Sequence, residues 1–258
     1  MDKKTLYLVS LQTIVYQEVT RFMRIWVQTL IPPVITITLY FIIFGNLIGP
    51  RIGEMAGISY MQFMVPGLIM MSIITNSYSN VVSSFFSKRF QNSIEEVLVS
   101  PVPHYIILAG YTIGGITRGC LIGVIVSAVS LLFTDMSVSH PLLMILVVIL
   151  TATFFSLAGF INSIFARNFD DISIIPIFVL TPMTYLGGVF YSIQLLPEVW
   201  QTLSLLNPIL YMVNAFRYSV LGVADVNVYK SIAFLLVFNI LAATYCNYLL
   251  RKGVGIKK

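Results

Sequence analysis

Six stretches of this chain, residues 25–48, 61–86, 106–133, 141–165, 172–191 and 229–250, are apolar and almost free of charge. Each has about 20 residues or more, enough to cross a hydrocarbon core with some tilt. A soluble domain cannot bury so much apolar surface. Of the 258 residues 58% are hydrophobic and 10% charged, and the mean hydropathy is +0.92. The sequence therefore predicts an all-α polytopic membrane protein with six transmembrane helices. Cys120 and Cys246 lie inside apolar runs, which fits small buried side chains and offers no disulfide framework or metal knuckle. Met1-Asp2-Lys3-Lys4-Thr5 leads into a mixed segment, so no removable signal peptide is expected.

The segment before the first span, residues 1–24, reads as an interfacial helix. Leu8, Leu11, Val15, Val19 and Phe22 recur at spacings of three and four, while Gln17, Glu18, Arg21 and Arg24 fall largely elsewhere on the wheel. That pattern predicts a helix in the membrane surface with basic residues among headgroups, either as a working element or as a simple anchor. With the N-terminus cytoplasmic, that side carries Lys3, Lys4, Arg21, Arg24, Lys88, Arg89, Arg167, Arg251, Lys252, Lys257 and Lys258. The other side has Arg51, Arg217 and Lys230. The bias places both termini in the cytoplasm. It also accounts for the net charge of +5 without a nucleic-acid partner.

After the second span comes the longest cytoplasmic loop. Phe90, Ile94, Val97 and Leu98 stand at i, i+4, i+7 and i+8, Lys88, Arg89, Glu95 and Glu96 stay polar, and Pro101 and Pro103 close the segment. The spacing predicts a short amphipathic helix over about 87–100 at the cytoplasmic surface, either a docking element or a plain loop helix.

The stretch from 176 to 218 behaves differently. Its apolar run breaks at Gly187-Gly188 and continues as two pieces flanking Asn207-Pro208. Each is only about 8–12 residues long, which predicts an outward re-entrant helical hairpin over about 190–218 and no further span. Proline removes a donor and steers the preceding residue away from helix, so Asn207-Pro208 is the expected turn. Tyr185, Phe190, Tyr191, Trp200, Tyr211, Phe216 and Tyr218 form either an interfacial aromatic belt or a gate over a pathway. Glu198 and Arg217 are the charges of the hairpin, and a pair between them is one expectation.

In the third span Gly110 and Gly114, and likewise Gly115, Gly119 and Gly123, repeat every four residues, a spacing that lets helix backbones approach closely in lipid. Beside them Arg118 falls about midway along the span. A charge there costs on the order of 3 kcal/mol or more, so it must face protein or water and find a partner. Asn76, Asn162, tyrosine hydroxyls, backbone carbonyls and an anionic cargo are the candidates. Arg118 is then either a site on a transport path or a structural arginine. Asp170 or Asp171, just past Arg167, suits a cap at the start of the fifth span.

No GxxxxGK[S/T] run, HExxH or GxSxG occurs, and no carboxylate falls centrally in a span. The chain is expected to be no enzyme and to bind no cofactor of its own. Its segments Arg21-Phe22-Met23-Arg24-Ile25-Trp26-Val27-Gln28-Thr29-Leu30, Tyr60-Met61-Gln62-Phe63, Val65-Pro66-Gly67-Leu68, Phe169-Asp170-Asp171-Ile172-Ser173 and Leu180-Thr181-Pro182 resemble those of the ABC-2 type transporter permeases. Leu186-Gly187-Gly188, Leu196-Pro197, Asn207-Pro208 and Arg217 match the C-terminal signature of that family in order and spacing. The resemblance implies an interfacial helix over 1–24 followed by one transmembrane domain over 25–258. It implies an export permease of a bacterial inner membrane, a homodimer in contact with membrane lipids, driven by two copies of a separate ATPase subunit that binds ATP and Mg. By that resemblance Lys88, Arg89, Phe90, Ile94, Glu95, Glu96 and Leu98 form the coupling helix, with Glu95 and Glu96 orienting it in the ATPase. Arg118, Gly187, Gly188, Phe190, Tyr191, Asn207, Pro208 and Arg217 are the candidates for the path or its gate. An apolar dimer interface containing Tyr and Met would suit an amphipathic cargo. The rival reading is an ATPase-independent secondary transporter or channel, which would be expected to carry coupling carboxylates or inverted repeats.

Overall fold

The computed structural model describes residues 2–55, 57–94 and 100–254. Helices dominate it: α1 (Lys3–Arg24), α2 (Trp26–Tyr40), α3 (Gly49–Ile52), α4 (Tyr60–Phe90), α5 (His104–Ser130), α6 (Pro141–Phe165), α7 (Asp171–Ile175), α8 (Thr181–Leu186), α9 (Glu198–Leu205), α10 (Pro208–Leu221) and α11 (Val228–Lys252). Wider, π-helical turns at Phe41–Ile48 and Pro176–Leu180 join α2 to α3 and α7 to α8. Two strands of two residues each, Glu54–Met55 and Ile58–Ser59, pair antiparallel between α3 and α4.

α4 is the centre of the molecule. It is 31 residues long and carries buried Ser72, Asn76, Ser77, Asn80 and Ser84 among its apolar residues. A helix so rich in hydroxyls and amides is poorly suited to lipid but well suited to a protein interior, where most of these groups find a carbonyl or carboxylate, the buried Ser77 hydroxyl being without a partner among the described residues. Ser72 donates to the Leu68 carbonyl at 3.0 Å and Asn76 to that of Ser72 at 3.0 Å. α5, α6 and α10 pack around it, and Phe63, Met64, Leu68, Met70, Ile73 and Ile74 lie in the central cluster.

The α5 glycines seat three helices, Gly115 meeting Ser156 of α6 as well as Val81 of α4. A Cβ at Gly110 would lie 2.5 Å from Ile14 Cγ2, and one at Gly114 2.6 Å from Glu18 Cβ, so this pair is the bed of α1. Gly119 and Gly123 instead meet Ser77 and Ile73 of α4. The spacing-of-four pattern thus serves packing within one chain, against three helices.

Among the described residues, four helical runs are long and apolar enough to cross a membrane: Trp26–Ile52, His104–Ser130, Pro141–Phe165 and Val228–Lys252. The second expected span lies in α4. The fifth stops at Leu186, making Asp171–Leu186 a shorter apolar helix than the 172–191 segment anticipated. The chain leaves it at Gly187-Gly188, where Gly188 adopts φ +70°, a left-handed conformation that glycine takes at no steric cost.

The wheel read for α1 is corrected. Glu18, expected on a polar outer face, is 1% exposed beside fully buried Phe22, whereas Leu8 is 58% exposed. The buried face is set by the groove over Gly110 and Gly114, and the carboxylate is accepted there because it brings its partners with it.

Candidate functional site

Three polar constellations stand out in this apolar molecule. In the first, α1 and α4 meet around Glu18. Arg21 Nη2 lies 3.3 Å from its Oε2 and Lys88 Nζ 4.0 Å from Oε1. The Ser84 hydroxyl donates to Oε1, and Asn80 Nδ2 donates to Oε2 at 3.5 Å. A carboxylate taken out of water needs this number of partners to stay charged.

The residues expected to dock a partner occupy the neighbouring end of α4. Lys88, Arg89 and Phe90 form its last turn and no separate helix, because α4 runs on to Phe90. Arg89 turns inward and donates to the carbonyls of Ser163, Ile164 and Ala166 at 2.5, 2.5 and 2.7 Å. These are carbonyls that the end of α6 leaves without helical donors, and a cation there also suits the helix dipole. Ile94 is 1% exposed and packs in the second apolar cluster with Ile107 and Leu108. Phe90 stays 58% exposed, its ring 5.1 Å from that of Phe169. Glu95, Glu96 and Leu98 lie outside the described residues. Of the acidic pair after Arg167, Asp171 accepts from the Arg167 backbone N at 2.8 Å, while Asn168 caps the Asp171 N at 2.7 Å.

The second constellation is the hairpin and its clamp. α9 and α10 meet at Asn207-Pro208 as the sequence indicated. Asn207 Oδ1 caps Ile209 N at 3.0 Å, and its Nδ2 donates to the Met183 carbonyl at 2.5 Å, tying the turn to α8. Pro208 takes the first helical position, where no N–H is needed. Arg217, on α10, is 1% exposed. Its Nη2 donates to the Gly188 carbonyl at 2.5 Å and its Nε to that of Phe63 at 3.3 Å, with the guanidinium 3.8 Å above the Phe63 ring. The anion beside it is Asp225, at 3.7 Å, and the pairing with Glu198 is thereby corrected: Glu198 is exposed on α9, whereas Asp225 is drawn in by Ser192, which donates to its Oδ1 at 2.6 Å. Asn214 completes the site by accepting from Asp225 N at 2.7 Å. Asp225 and Asn214 were not singled out in the sequence. The signal available was the Asp in the loop before the last span, an acidic residue at the same end as Arg217. Phe190 packs its ring 5.5 Å from Tyr40 and 5.3 Å from Phe44, which pins the Gly187-Gly188 turn to α2. Tyr191 donates its hydroxyl to the Tyr185 carbonyl at 2.8 Å.

The third is a cleft of about 300 Å³ at Arg118, walled by Gln28, Pro32 and Thr36 of α2 and by Met71, Thr75 and Asn76 of α4. Arg118 Nη2 donates to Asn76 Oδ1 at 3.2 Å, and its Nε is buried without a partner. Asn162, a second candidate partner, is engaged elsewhere, donating to the Tyr78 hydroxyl at 2.7 Å. Gln28, Pro32, Thr36 and Thr75 are exposed, so the cleft opens on the flank of the helices and not at their ends. The structure therefore brings Gly187, Gly188, Phe190, Asn207, Pro208 and Arg217 together in the hairpin clamp and leaves Arg118 in a separate cleft.

A bundle of long apolar helices with a buried-arginine hairpin and a polar cleft on its flank describes a membrane permease, and comparison with known families agrees. Residues 9–221 match the ABC-2 type transporter membrane family, and the chain belongs to that family. It is 58% identical over 252 residues, 98% of each chain, to the inner membrane transport permease YadH of Escherichia coli K12. More distantly it resembles nodulation protein J of Rhizobium leguminosarum bv. viciae, at 24% over 212 residues covering 81% of each chain. The corresponding protein of Rhizobium meliloti is 24% identical over 179 residues, 69% of this chain and 68% of that one.

Proposed function

We propose that this chain is the permease subunit of an ATP-driven exporter in a bacterial inner membrane. In this reading an interfacial helix over 1–24 leads into a transmembrane domain over 25–258 with six spans, both termini cytoplasmic and the hairpin on the outer side, an orientation supported by the excess of Lys and Arg in the loops assigned to the cytoplasm. Two copies enclose the path, and two copies of a separate ATPase subunit, holding ATP and Mg, drive it.

One observation carries this reading beyond family membership. Gln28 and Thr36 are exposed around Arg118 on α2, part of a helical run apolar enough to cross a membrane, and Thr75 of α4 is exposed beside them. A polar face at membrane depth must meet water or protein, and a second copy closed over it supplies both a partner and an aqueous path. The aromatic and glycine residues of the hairpin then form the outer gate. The exposed apolar side chains of α9, Val199, Trp200 and Leu203, suit the outer membrane interface. At the other end, the exposed pair Phe90 and Phe169, with residues 95–98, is the coupling surface. Closure of the ATPase subunits would push on it and move α4 between two packings.

The test is a mild-detergent pull-down of the tagged chain from its native membrane, with mass spectrometry of the eluate and an ATPase assay. Recovery of a Walker-motif ATPase with ATP turnover is expected. Recovery of the chain alone under several detergents would reject the ATPase partnership in favour of a secondary transporter or channel.

A further inference from the structure

We propose that the Arg118 cleft is a headgroup site that binds one phosphate or carboxylate carried by an amphipathic molecule. This rests on the reading of the cleft as part of the path and names the ligand chemistry for it.

Among the described residues Arg21 Nε and Arg217 Nη1 are, like Arg118 Nε, buried without a hydrogen bond, but the other arginines inside the fold each have an anion or several carbonyls beside them. Arg217 has Asp225 and two carbonyls, Arg21 has Glu18, and Arg89 has three carbonyls. Arg118 has neither. A guanidinium carries five N–H donors; among the described residues the one partner of Arg118 is the neutral Asn76 amide oxygen, and Nε is buried with none. No Asp or Glu lines the cleft. A fold that leaves a cation at membrane depth short of an anion has left the place of the anion open, since the unpaired charge is costly there.

The walls say what carries the anion. Pro32, Pro33, Ile37 and Met71 give an apolar lining beside the polar Thr36 and Thr75. About 300 Å³ is at the small end of ligand cavities, room for an anionic group and the start of a chain but not for a large polar body. Because the mouth is on the helix flank, the remainder of such a molecule can lie against exposed apolar side chains of α2 such as Ile35 and Leu39. Arginine also matches phosphate and carboxylate with two parallel N–H bonds, which fixes the orientation of the group.

The full chain, purified in mild detergent and stripped of lipid, is titrated with dioctanoyl phosphatidic acid, dioctanoyl phosphatidylcholine and inorganic phosphate, with occupancy counted by native mass spectrometry. The wild type is expected to bind phosphatidic acid at least about tenfold more tightly than Arg118→Gln, the effect of losing a charge-assisted pair. Phosphatidylcholine should bind weakly and equally to both. Thr36→Glu, at an exposed cleft position, places a carboxylate where the ligand would sit and should abolish binding in a chain that folds normally, which keeps the test decisive if Arg118→Gln is unstable. Equal binding of phosphatidic acid by wild type and a folded variant would overturn the proposal. Displacement of phosphatidic acid by an equal concentration of inorganic phosphate would overturn its amphipathic part. No ATPase enters this experiment, so failure to recover that partner strikes the export reading alone.

Discussion

Arg217 and Asp225 face each other at 3.7 Å with side chains only 1% and 5% exposed. The distance is that of an ion pair without a direct hydrogen bond, and the remaining guanidinium donors go to the Gly188 and Phe63 carbonyls. Removing one partner of a buried pair leaves an uncompensated charge and costs about 3–5 kcal/mol. Asp225→Ala is therefore expected to lower the thermal midpoint of the detergent-solubilised protein sharply. The double variant Arg217→Met with Asp225→Leu should recover a good part of the loss. Equal destabilisation by single and double variants would show that the carbonyl bonds, and not the charge pair, hold the hairpin.

Gly114 is one of two close approaches of α1 to α5, and a Cβ there would lie only 2.6 Å from Glu18 Cβ. Neither contact atom is the flexible end of a side chain, so Gly114→Ala must push the two helices apart. Overpacking of this kind costs about 1–3 kcal/mol. Limited trypsin digestion should cut after Arg21 and Arg24 faster than in the wild type. Unchanged cleavage would mean that α1 is held chiefly by its charges.

Those charges make a separate prediction. Glu18→Gln keeps a side chain able to bond Ser84 and Asn80 but removes the anion between Arg21 and Lys88, whose side chains are 32% and 27% exposed. With the cations partly in solvent, the expected loss is about 1–3 kcal/mol, less than for the enclosed Arg217 pair. Thermal unfolding of the two variants side by side checks the order; a larger loss for Glu18→Gln would contradict it.

Glu95 and Glu96 follow the end of α4 in the proposed coupling segment. Reversal of both to Lys is expected to leave membrane insertion intact and to abolish cargo-stimulated ATP turnover by the complex. Turnover equal to the wild type would reject their role in orienting the segment.

What the sequence revealed and what it hid have the same physical origin. Apolar runs and turn chemistry are local, so the helical membrane class, the break at Gly187-Gly188 and the turn at Asn207-Pro208 were legible in the sequence, whereas the cap that Asn207 supplies was not read from it. Pairings across the chain are not local. Glu18 looked like a polar-face residue because the wheel of α1 contains no record of the glycine bed on α5. Arg217 was assigned to Glu198 because both lie in the hairpin, whereas Ser192 and Asn214 hold Asp225 in position from the next loop. Arg118 was legible as a charge at membrane depth, but that Asn76, of the candidates named, would be its partner among the described residues depended on the register of α4 against α5.

Arg89 shows how such a cross-chain role can be tested apart from global stability. Its three bonds hold the end of α6 to the end of α4, joining the helix before the 91–103 loop to the segment that leads into the hairpin. A lysine there keeps the charge near the helix C-terminus but replaces a planar fork with a single point, so it cannot serve three carbonyls at once. Arg89→Lys is expected to raise amide hydrogen exchange in peptides covering residues 160–171 by about tenfold, corresponding to about 1.4 kcal/mol of local opening, while peptides from α1 stay unchanged. Arg89→Ala, which also removes the favourable charge at the helix end, should raise it further. If exchange rose equally in α1 and at the end of α6, Arg89 would be supporting that whole end of the bundle; unaltered exchange at both would show that packing of Ile164 and Phe160 in the second apolar cluster suffices to fix the junction.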